Sequence, residues 1–137
     1  MPSYGSGVVY QKPRGINGDG IIQVAFSFAP NGATSPVATT IKGKYITSIT
    51  YAAGSLWQVQ FIDKYASILG AGFMLQGAAG WSGQGFTVEV DYTTTDITTG
   101  LLVLRSLNTS GAATDIAAAT GGRVNVWLAL ATDASNT

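Results

Sequence analysis

The sequence predicts a single all-β domain, a β-sandwich or small barrel of about seven to eight short antiparallel strands with an extended N-terminal arm. Three observations predict this fold. Apolar and polar residues alternate in several short runs, which is typical of strands with one buried face. Turns rich in glycine separate these runs at intervals of roughly 8–12 residues. A length of 137 residues suits one core, because domains commonly hold about 100–150 residues.

The N-terminal part differs in composition from the rest. Residues 1–20 contain five glycines and Pro13, and these residue types interrupt regular structure. We therefore expect residues 1–20 to form an extended arm with one short strand at Val8–Gln11, and residues 21–137 to form the sandwich or barrel. Arms of this kind are often ordered only by a partner.

The first half of the domain contains three predicted strands. Ile22–Phe28 alternates apolar residues with small or polar ones, and turn residues at Ala29–Gly32 end it. Tyr45–Tyr51 and Leu56–Phe61 are joined by a short loop that contains Gly54, and this arrangement predicts a hairpin. Its second strand is expected to direct three residues into the core: Trp57, Val59 and Phe61.

The second half supplies four more strands. Gly70–Gly77 is predicted to form a short apolar strand, and Gly100–Arg105 a continuous apolar strand that is buried on both sides. In Phe86–Tyr92 the even-numbered residues are predicted to face the core and Thr87, Glu89 and Asp91 the solvent. In Arg123–Leu130 the apolar face is Val124, Val126, Leu128 and Leu130, with Trp127 projecting from the other side. Gly111–Ala119 has local helical propensity but is too short to predict a helix.

The absence of two residue types narrows the possible chemistry. The chain contains no cysteine and no histidine, so thiolate nucleophiles, disulfides and cysteine zinc sites are excluded. Histidine is the usual general base that activates a serine nucleophile. We therefore expect a protein that is not an enzyme and has no cofactor and no metal.

Charged residues make up only 10% of the chain, and the net charge is +0. Ordinary soluble domains hold about 25% charged residues. A free monomer with so few charges is poorly protected from self-association. The composition therefore indicates a surface that neighbouring chains cover, although the many Thr, Ser, Asn, Gln and Gly residues offer another source of solubility.

Glu89 and Asp91 form the clearest pair of carboxylates. They lie two residues apart on one predicted strand and so share a face. Such a pair could bind a cation or act as an acid and base. Because this is the outward face of an amphipathic strand, a solvated strand surface is the interpretation we favour.

Six residues are the candidates for contacts with other chains: Tyr4, Tyr10, Lys12, Arg14, Trp81 and Trp127. Aromatic side chains anchor many protein interfaces. Trp81 lies in a glycine-rich loop with little around it to form a core, and Trp127 faces outward from its strand. Trp57, by contrast, is expected in the core. The clustered basic residues, Lys12, Arg14, Lys42 and Lys44, are too few for a nucleic-acid site. They suit solvated loops or contacts to an acidic neighbouring subunit.

The layout of the chain resembles small structural proteins of tailed bacteriophages, particularly head decoration, or cement, proteins. Three stretches carry the resemblance: Gly43–Tyr51 followed by Leu56–Phe61, Ser110–Ala118, and the terminal strand Arg123–Leu130. It covers roughly residues 20–133. It implies a β-rich, commonly trimeric protein that clamps adjacent capsomers from outside, with the arm reaching a neighbour. No residue of the family is carried over by position.

The resemblance and the composition together predict a virion structural protein that decorates the capsid exterior and binds the major capsid protein as a homo-oligomer, with a trimer expected. No apolar run approaches the ~18–20 residues of a membrane-spanning helix, and the start lacks a signal peptide. We therefore expect synthesis in the host cytoplasm and no membrane partner. Two alternatives stay open: a tail or other particle component, and a carbohydrate-binding or adhesion module in which Trp81 stacks on sugar rings.

Overall fold

The computed structural model describes residues 20–77, 81 and 84–132, and within them the chain forms seven strands in two antiparallel sheets. The strands are β1 Ile21–Phe28, β2 Ile46–Ala52, β3 Leu56–Phe61, β4 Ser67–Gln76, β5 Thr87–Val90, β6 Leu101–Leu107 and β7 Arg123–Ala131. The first sheet has the order β1-β7-β4 and the second the order β2-β3-β6-β5. This confirms the predicted all-β sandwich. The expected arm and its strand at Val8–Gln11 lie outside the described residues.

The two sheets pack through their inner faces around one apolar core. Phe28 of β1 meets Trp57 of β3 edge to face, with ring centroids 5.0 Å apart, and Phe26 meets Phe61 in the same way at 6.1 Å. Edge-to-face pairs add stabilisation beyond the burial of their area. The prediction that Trp57 is a core residue is therefore confirmed, since its side chain is 1% exposed.

Strand β7 is the central strand of the first sheet. It pairs with β1 on one side and with β4 on the other, so Trp127 stands between Ala25 and Gly72. Val124, Val126, Leu128 and Leu130 alternate with it and are buried against the second sheet. The predicted division of this strand into an apolar face and an outward Trp127 is confirmed.

The second sheet begins with the predicted hairpin. Strands β2 and β3 pair from Ile46 to Ala52, and the intervening turn places Gly54 and Ser55 at positive φ angles of 89° and 63°. Positive φ at consecutive turn residues matches the right-handed twist of the strands that they join. The hairpin places β2 beside β3, and the other side of β3 pairs with β6.

Strand β6 is buried on both sides, as its continuous apolar sequence predicts. Leu102 and Leu104 face the core, while Val103 faces the other way and is also fully buried. Residues 91–95 cover it, because the Asp91 amide donates to the Val103 carbonyl oxygen at 2.8 Å and the Thr95 hydroxyl accepts from the Val103 amide at 2.8 Å.

The alternation predicted over Phe86–Tyr92 holds only to Val90. Strand β5 ends there, Asp91 is buried, and Tyr92 is 69% exposed. The assignment of Asp91 to the solvent and of Tyr92 to the core is therefore wrong. The reason is that the chain turns at Asp91, whose carboxylate accepts hydrogen bonds from residues of the following turn.

Residues 112–119 cross one end of the sandwich without forming a helix. Ile116 is fully buried in the core, and the Thr114 amide donates to the Ser106 carbonyl oxygen at 3.0 Å. The Ser106 hydroxyl, also fully buried, donates to the Thr114 carbonyl oxygen. These bonds occupy backbone groups that a helix would need, so tertiary contacts decide the conformation.

We predict that Leu102→Ala lowers the free energy of unfolding by about 2–5 kcal/mol, because it leaves a cavity in a fully packed core. Leu69→Ala is the matched control, since Leu69 is 42% exposed, and it should change stability by no more than about 0.5 kcal/mol. Urea unfolding of the two variants measures both values. Equal losses would contradict the sandwich core.

Candidate functional site

The most distinctive surface is the outer face of the first sheet. We name it the Trp127 face and define it as Ala25, Ser27, Gly72, Met74, Asn125 and Trp127. Trp127 is 44% exposed and Met74 is 69% exposed. Tryptophan and methionine are residues that protein interfaces favour.

Small neighbours keep the tryptophan ring accessible. In the sheet register Trp127 lies between Ala25 of β1 and Gly72 of β4. A Cβ atom added to Gly72 would lie 3.8 Å from Cε3 of Trp127, so the ring leans over the glycine. Because neither neighbour has a long side chain, one side of the ring can be approached from outside.

A groove of about 630 Å³ runs along this face. The Trp127 face forms most of its lining, and the segment Lys42–Gly43 forms one wall. That segment lies against β1, where Ser27 and Lys42 exchange both backbone hydrogen bonds at 2.9 and 2.8 Å. A Cβ atom on Gly43 would come within 2.7 Å of the Phe26 Cβ atom, so only glycine permits this close approach.

The described part of the chain gives the groove a positive charge. Among its described lining residues Lys42 is charged, and none carries a carboxylate. Arg123 lies at one end of the same sheet, where its guanidinium donates to the Ser27 hydroxyl at 2.9 Å and to the Thr40 carbonyl oxygen. These bonds hold the segment before Lys42 against β1. A partner with acidic groups beside an apolar surface would complement this arrangement.

The structure separates the two tryptophans that we proposed as contact residues. Trp127 is exposed on the sheet face, but Trp81 is 7% exposed and belongs to the core. Its indole Nε1 donates to the Ala117 carbonyl oxygen at 2.9 Å, and its ring meets Phe86 edge to face. The expectation that Trp81 lacks core neighbours is therefore wrong. The stacking of sugars on Trp81 loses its support.

Trp81 packs where Gly122 leaves room for it. A Cβ atom on Gly122 would lie within 2.5 Å of the indole ring. The sequence around Trp81 contains no signal of this contact, because Ala117 and Gly122 are distant in the chain. The four other contact candidates, Tyr4, Tyr10, Lys12 and Arg14, lie outside the described residues and stay predictions.

Glu89 and Asp91 do not form an exposed pair of carboxylates. Glu89 is exposed, while the Asp91 side chain is 7% exposed and lies 3.5 Å from the Arg105 guanidinium. The Thr94 hydroxyl donates to Asp91 at 2.8 Å. This hydrogen bond, with the Arg105 charge and Thr93, lowers the pKa of Asp91, although burial acts in the opposite direction. Asp91 therefore holds the turn that covers Val103.

A second carboxylate, Asp115, joins two hydroxyl groups. Its Oδ1 accepts from the Tyr51 hydroxyl at 2.7 Å and from the Ser55 hydroxyl at 2.8 Å. The hydrogen bond to Asp115 raises the pKa of Tyr51. The Ser55 hydroxyl donates its hydrogen bond to a carboxylate that also accepts one from Tyr51. The cluster therefore ties residues 112–119 to the hairpin turn, and it does not resemble an activated nucleophile.

Among residues 20–77, 81 and 84–132, no group of three or more acidic side chains is placed to hold a metal ion. No helix in the same part of the chain is long and apolar enough to cross a membrane.

No protein-family model, curated protein or solved structure that was compared with the chain matches it. The fold and the surface define the class of protein: a seven-stranded antiparallel β-sandwich, as counted over its described residues, with an apolar groove on the outer face of one sheet.

We predict that Asp91→Asn makes the fold less sensitive to acid. A carboxyl group whose pKa is lower in the folded state stabilises the fold at pH values above its ordinary pKa of 3.8. This contribution is lost as the pH falls through the lower pKa of the folded state. The stability difference between the wild type and Asp91→Asn should therefore be larger at about pH 7 than at about pH 3 in urea unfolding.

The matched control for Asp91→Asn is Glu89→Gln, which removes an exposed carboxylate from β5, the strand that ends just before Asp91. Its effect at about pH 7 should be smaller than that of Asp91→Asn, since exposed charges contribute little to stability. A wild-type advantage over Asp91→Asn that stayed constant down to about pH 3 would contradict the role of the Asp91 carboxylate.

Proposed function

We propose that this chain is a non-enzymatic structural subunit that packs through its Trp127 face against other protein chains. The observation that carries the proposal is the exposure of Trp127 and Met74 on a sheet face built from small residues. Covering a large apolar side chain contributes roughly 1.5–3 kcal/mol. A chain with only 10% charged residues gains from such a cover, because few charges oppose association.

The finer proposal is that the assembly is a virion and that the chain decorates the outside of a capsid as a homo-oligomer bound to the major capsid protein. The resemblance of the sequence layout to head decoration proteins supports it, as does the β-sandwich fold. A decoration protein acts by burying surface between subunits, and repeated attachment multiplies weak contacts. A tail or other particle component is the nearest variant.

The charges at the rim of the groove indicate which kind of partner surface would fit. Lys42 lines the groove and Arg123 lies at one end of the same sheet, and none of the lining residues that the structure describes carries a carboxylate. A capsid surface that offers an apolar patch beside Asp or Glu residues would fit both features. The charges would set the orientation of docking, while the apolar contact would supply most of the affinity.

A carbohydrate-binding module is a second candidate function. Trp127, and not Trp81, has the geometry that favours it. An indole ring beside a glycine and an alanine offers a platform on which a sugar ring can stack. Asn125 lies on the same face and could bind hydroxyl groups. A glycan array with the wild type and Trp127→Ala separates the two functions: glycan binding that Trp127→Ala abolishes would favour the sugar site.

The test of the structural role uses single cysteines in a chain that has none. Met74→Cys places a thiol on the Trp127 face, and Tyr92→Cys places one in the turn after β5, where the native residue has the same 69% exposure. In particles that contain the chain, maleimide should label Met74→Cys about tenfold more slowly than in the isolated chain, because the partner covers it. Tyr92→Cys should change less.

Equal labelling of Met74→Cys in the free and the assembled chain would contradict packing through the Trp127 face. The decoration role has its own test in the same particles. Heating should release the contents at a lower temperature after the chain has been stripped away, and particles that resist heat equally well without it would contradict a cementing role.

A further inference from the structure

The turn that follows β1 contains the pair Asn31–Gly32. Gly32 has a φ angle of 62°, which lies in the left-handed region that glycine adopts without steric cost. The turn therefore favours glycine directly after asparagine. This is the sequence most prone to spontaneous deamidation, because the glycine has no side chain to shield its backbone nitrogen. The geometry of the turn thus places a chemically reactive pair in the fold.

Deamidation of this pair needs no catalyst. The backbone nitrogen of Gly32 loses its proton and attacks the Cγ atom of Asn31, which forms a carbon–nitrogen bond. The bond from Cγ to the side-chain nitrogen breaks and ammonia leaves, so that a five-membered succinimide ring remains. Water then adds to one of the two ring carbonyl groups and opens the ring to aspartate or isoaspartate. Nothing is oxidised or reduced, and water is the only co-reactant.

The folded chain engages both of the groups that would react. The Gly32 amide donates to the Ile116 carbonyl oxygen at 2.9 Å, and the Asn31 side-chain amide donates to the Ser35 carbonyl oxygen at 3.3 Å. The Thr34 hydroxyl fixes the same turn by donating to the Asn31 carbonyl oxygen at 2.6 Å. A hydrogen-bonded backbone amide has to open before it can react. The bond to Ile116 therefore holds the nucleophilic nitrogen away from Asn31 Cγ.

The acceptor of this bond lies in residues 112–119, which we name the crossing segment. Ile116 is fully buried in the core. On one side of it, the Asp115 carboxylate accepts hydrogen bonds from two hydroxyl groups of the β2–β3 hairpin. On the other side, the Ala117 carbonyl oxygen accepts from the Trp81 indole. The Gly32 amide is consequently held by a segment that is itself anchored at three consecutive residues.

We propose that Asn31–Gly32 is a latent self-modification site, which the Ile116 carbonyl oxygen keeps inactive while the crossing segment is in place. Detachment of that segment frees the Gly32 nitrogen, and deamidation follows. Isoaspartate adds one carbon atom to the backbone between residues 31 and 32, so the Gly32 amide no longer matches its acceptor. The reaction thereby makes detachment of the crossing segment irreversible. This inference concerns one end of the sandwich and does not rest on the partner of the Trp127 face.

The test incubates the full chain in one mildly alkaline buffer, once folded and once unfolded in urea, and measures conversion of Asn31 by mass spectrometry. Asn31 should react at least about tenfold more slowly in the folded chain, because the crossing segment must open first. The second Asn–Gly pair, Asn17–Gly18, controls for the chemistry in urea, where both pairs should react at similar rates. Equal rates at Asn31 in the folded and unfolded chain would overturn the proposal.

Asp115→Ala tests whether the crossing segment is the guard. It removes two hydrogen bonds from that segment without changing the reacting pair, and Asp115 is exposed. In native buffer, conversion of Asn31 should be about tenfold faster in this variant than in the wild type. Asp96→Ala is the matched control, since Asp96 is also exposed and its carboxylate also accepts two hydrogen bonds, in the turn before β6. Equal conversion of Asn31 in the two variants would contradict the role of the crossing segment.

Hydrogen exchange of the wild type tests the same bond without a substitution. The Gly32 amide should exchange at least about tenfold more slowly in the folded chain than in the unfolded chain, because it is bonded to a buried residue. Rapid exchange of this amide in the folded chain would overturn the proposal. Both measurements use the isolated chain, so a failure of the Trp127 face to bind a partner leaves their outcome unaffected.

Discussion

The fold depends on the packing of two inner sheet faces into one apolar layer, which includes the edge-to-face contact between Phe28 and Trp57. Strand residues alternate between the two faces of a sheet, so filling this layer fixes which residues point outward. Val126 and Leu128 complete the layer from β7. Trp127, between them in sequence, is consequently placed on the outside.

The outer faces of the two sheets differ in whether the chain itself covers their apolar residues. On the second sheet, the turn held by Asp91 covers Val103, so an apolar outward residue is buried within the same chain. On the first sheet, Trp127 and Met74 stand among glycine, alanine and polar residues with cations at the rim. The sandwich core does not require a tryptophan there, and this is the physical basis for proposing that other chains use it.

Local alternation was sufficient to predict β1, the hairpin of β2 and β3, and both faces of β7, because β1, β3 and β7 keep their period of two and the register of β2 shifts only once, between Ile46 and Ser48. Asp91 broke the prediction where a turn began within an alternating run. Trp81 could not be placed, since its partners Ala117 and Gly122 are brought to it only by tertiary folding. The groove was missed for a related reason: joining Gly72, Trp127 and Lys42 requires the strand order β1-β7-β4, which no local pattern contains.

The most direct measurement compares folding and assembly in one variant, Trp127→Thr. Threonine suits a strand, so the isolated variant should unfold within about 1 kcal/mol of the wild type while its incorporation into the assembly falls sharply. That combination would mean that Trp127 contributes to contact with other chains and not to the stability of the isolated fold. A variant that assembles as well as the wild type, or one that loses stability like a core truncation, would contradict the account.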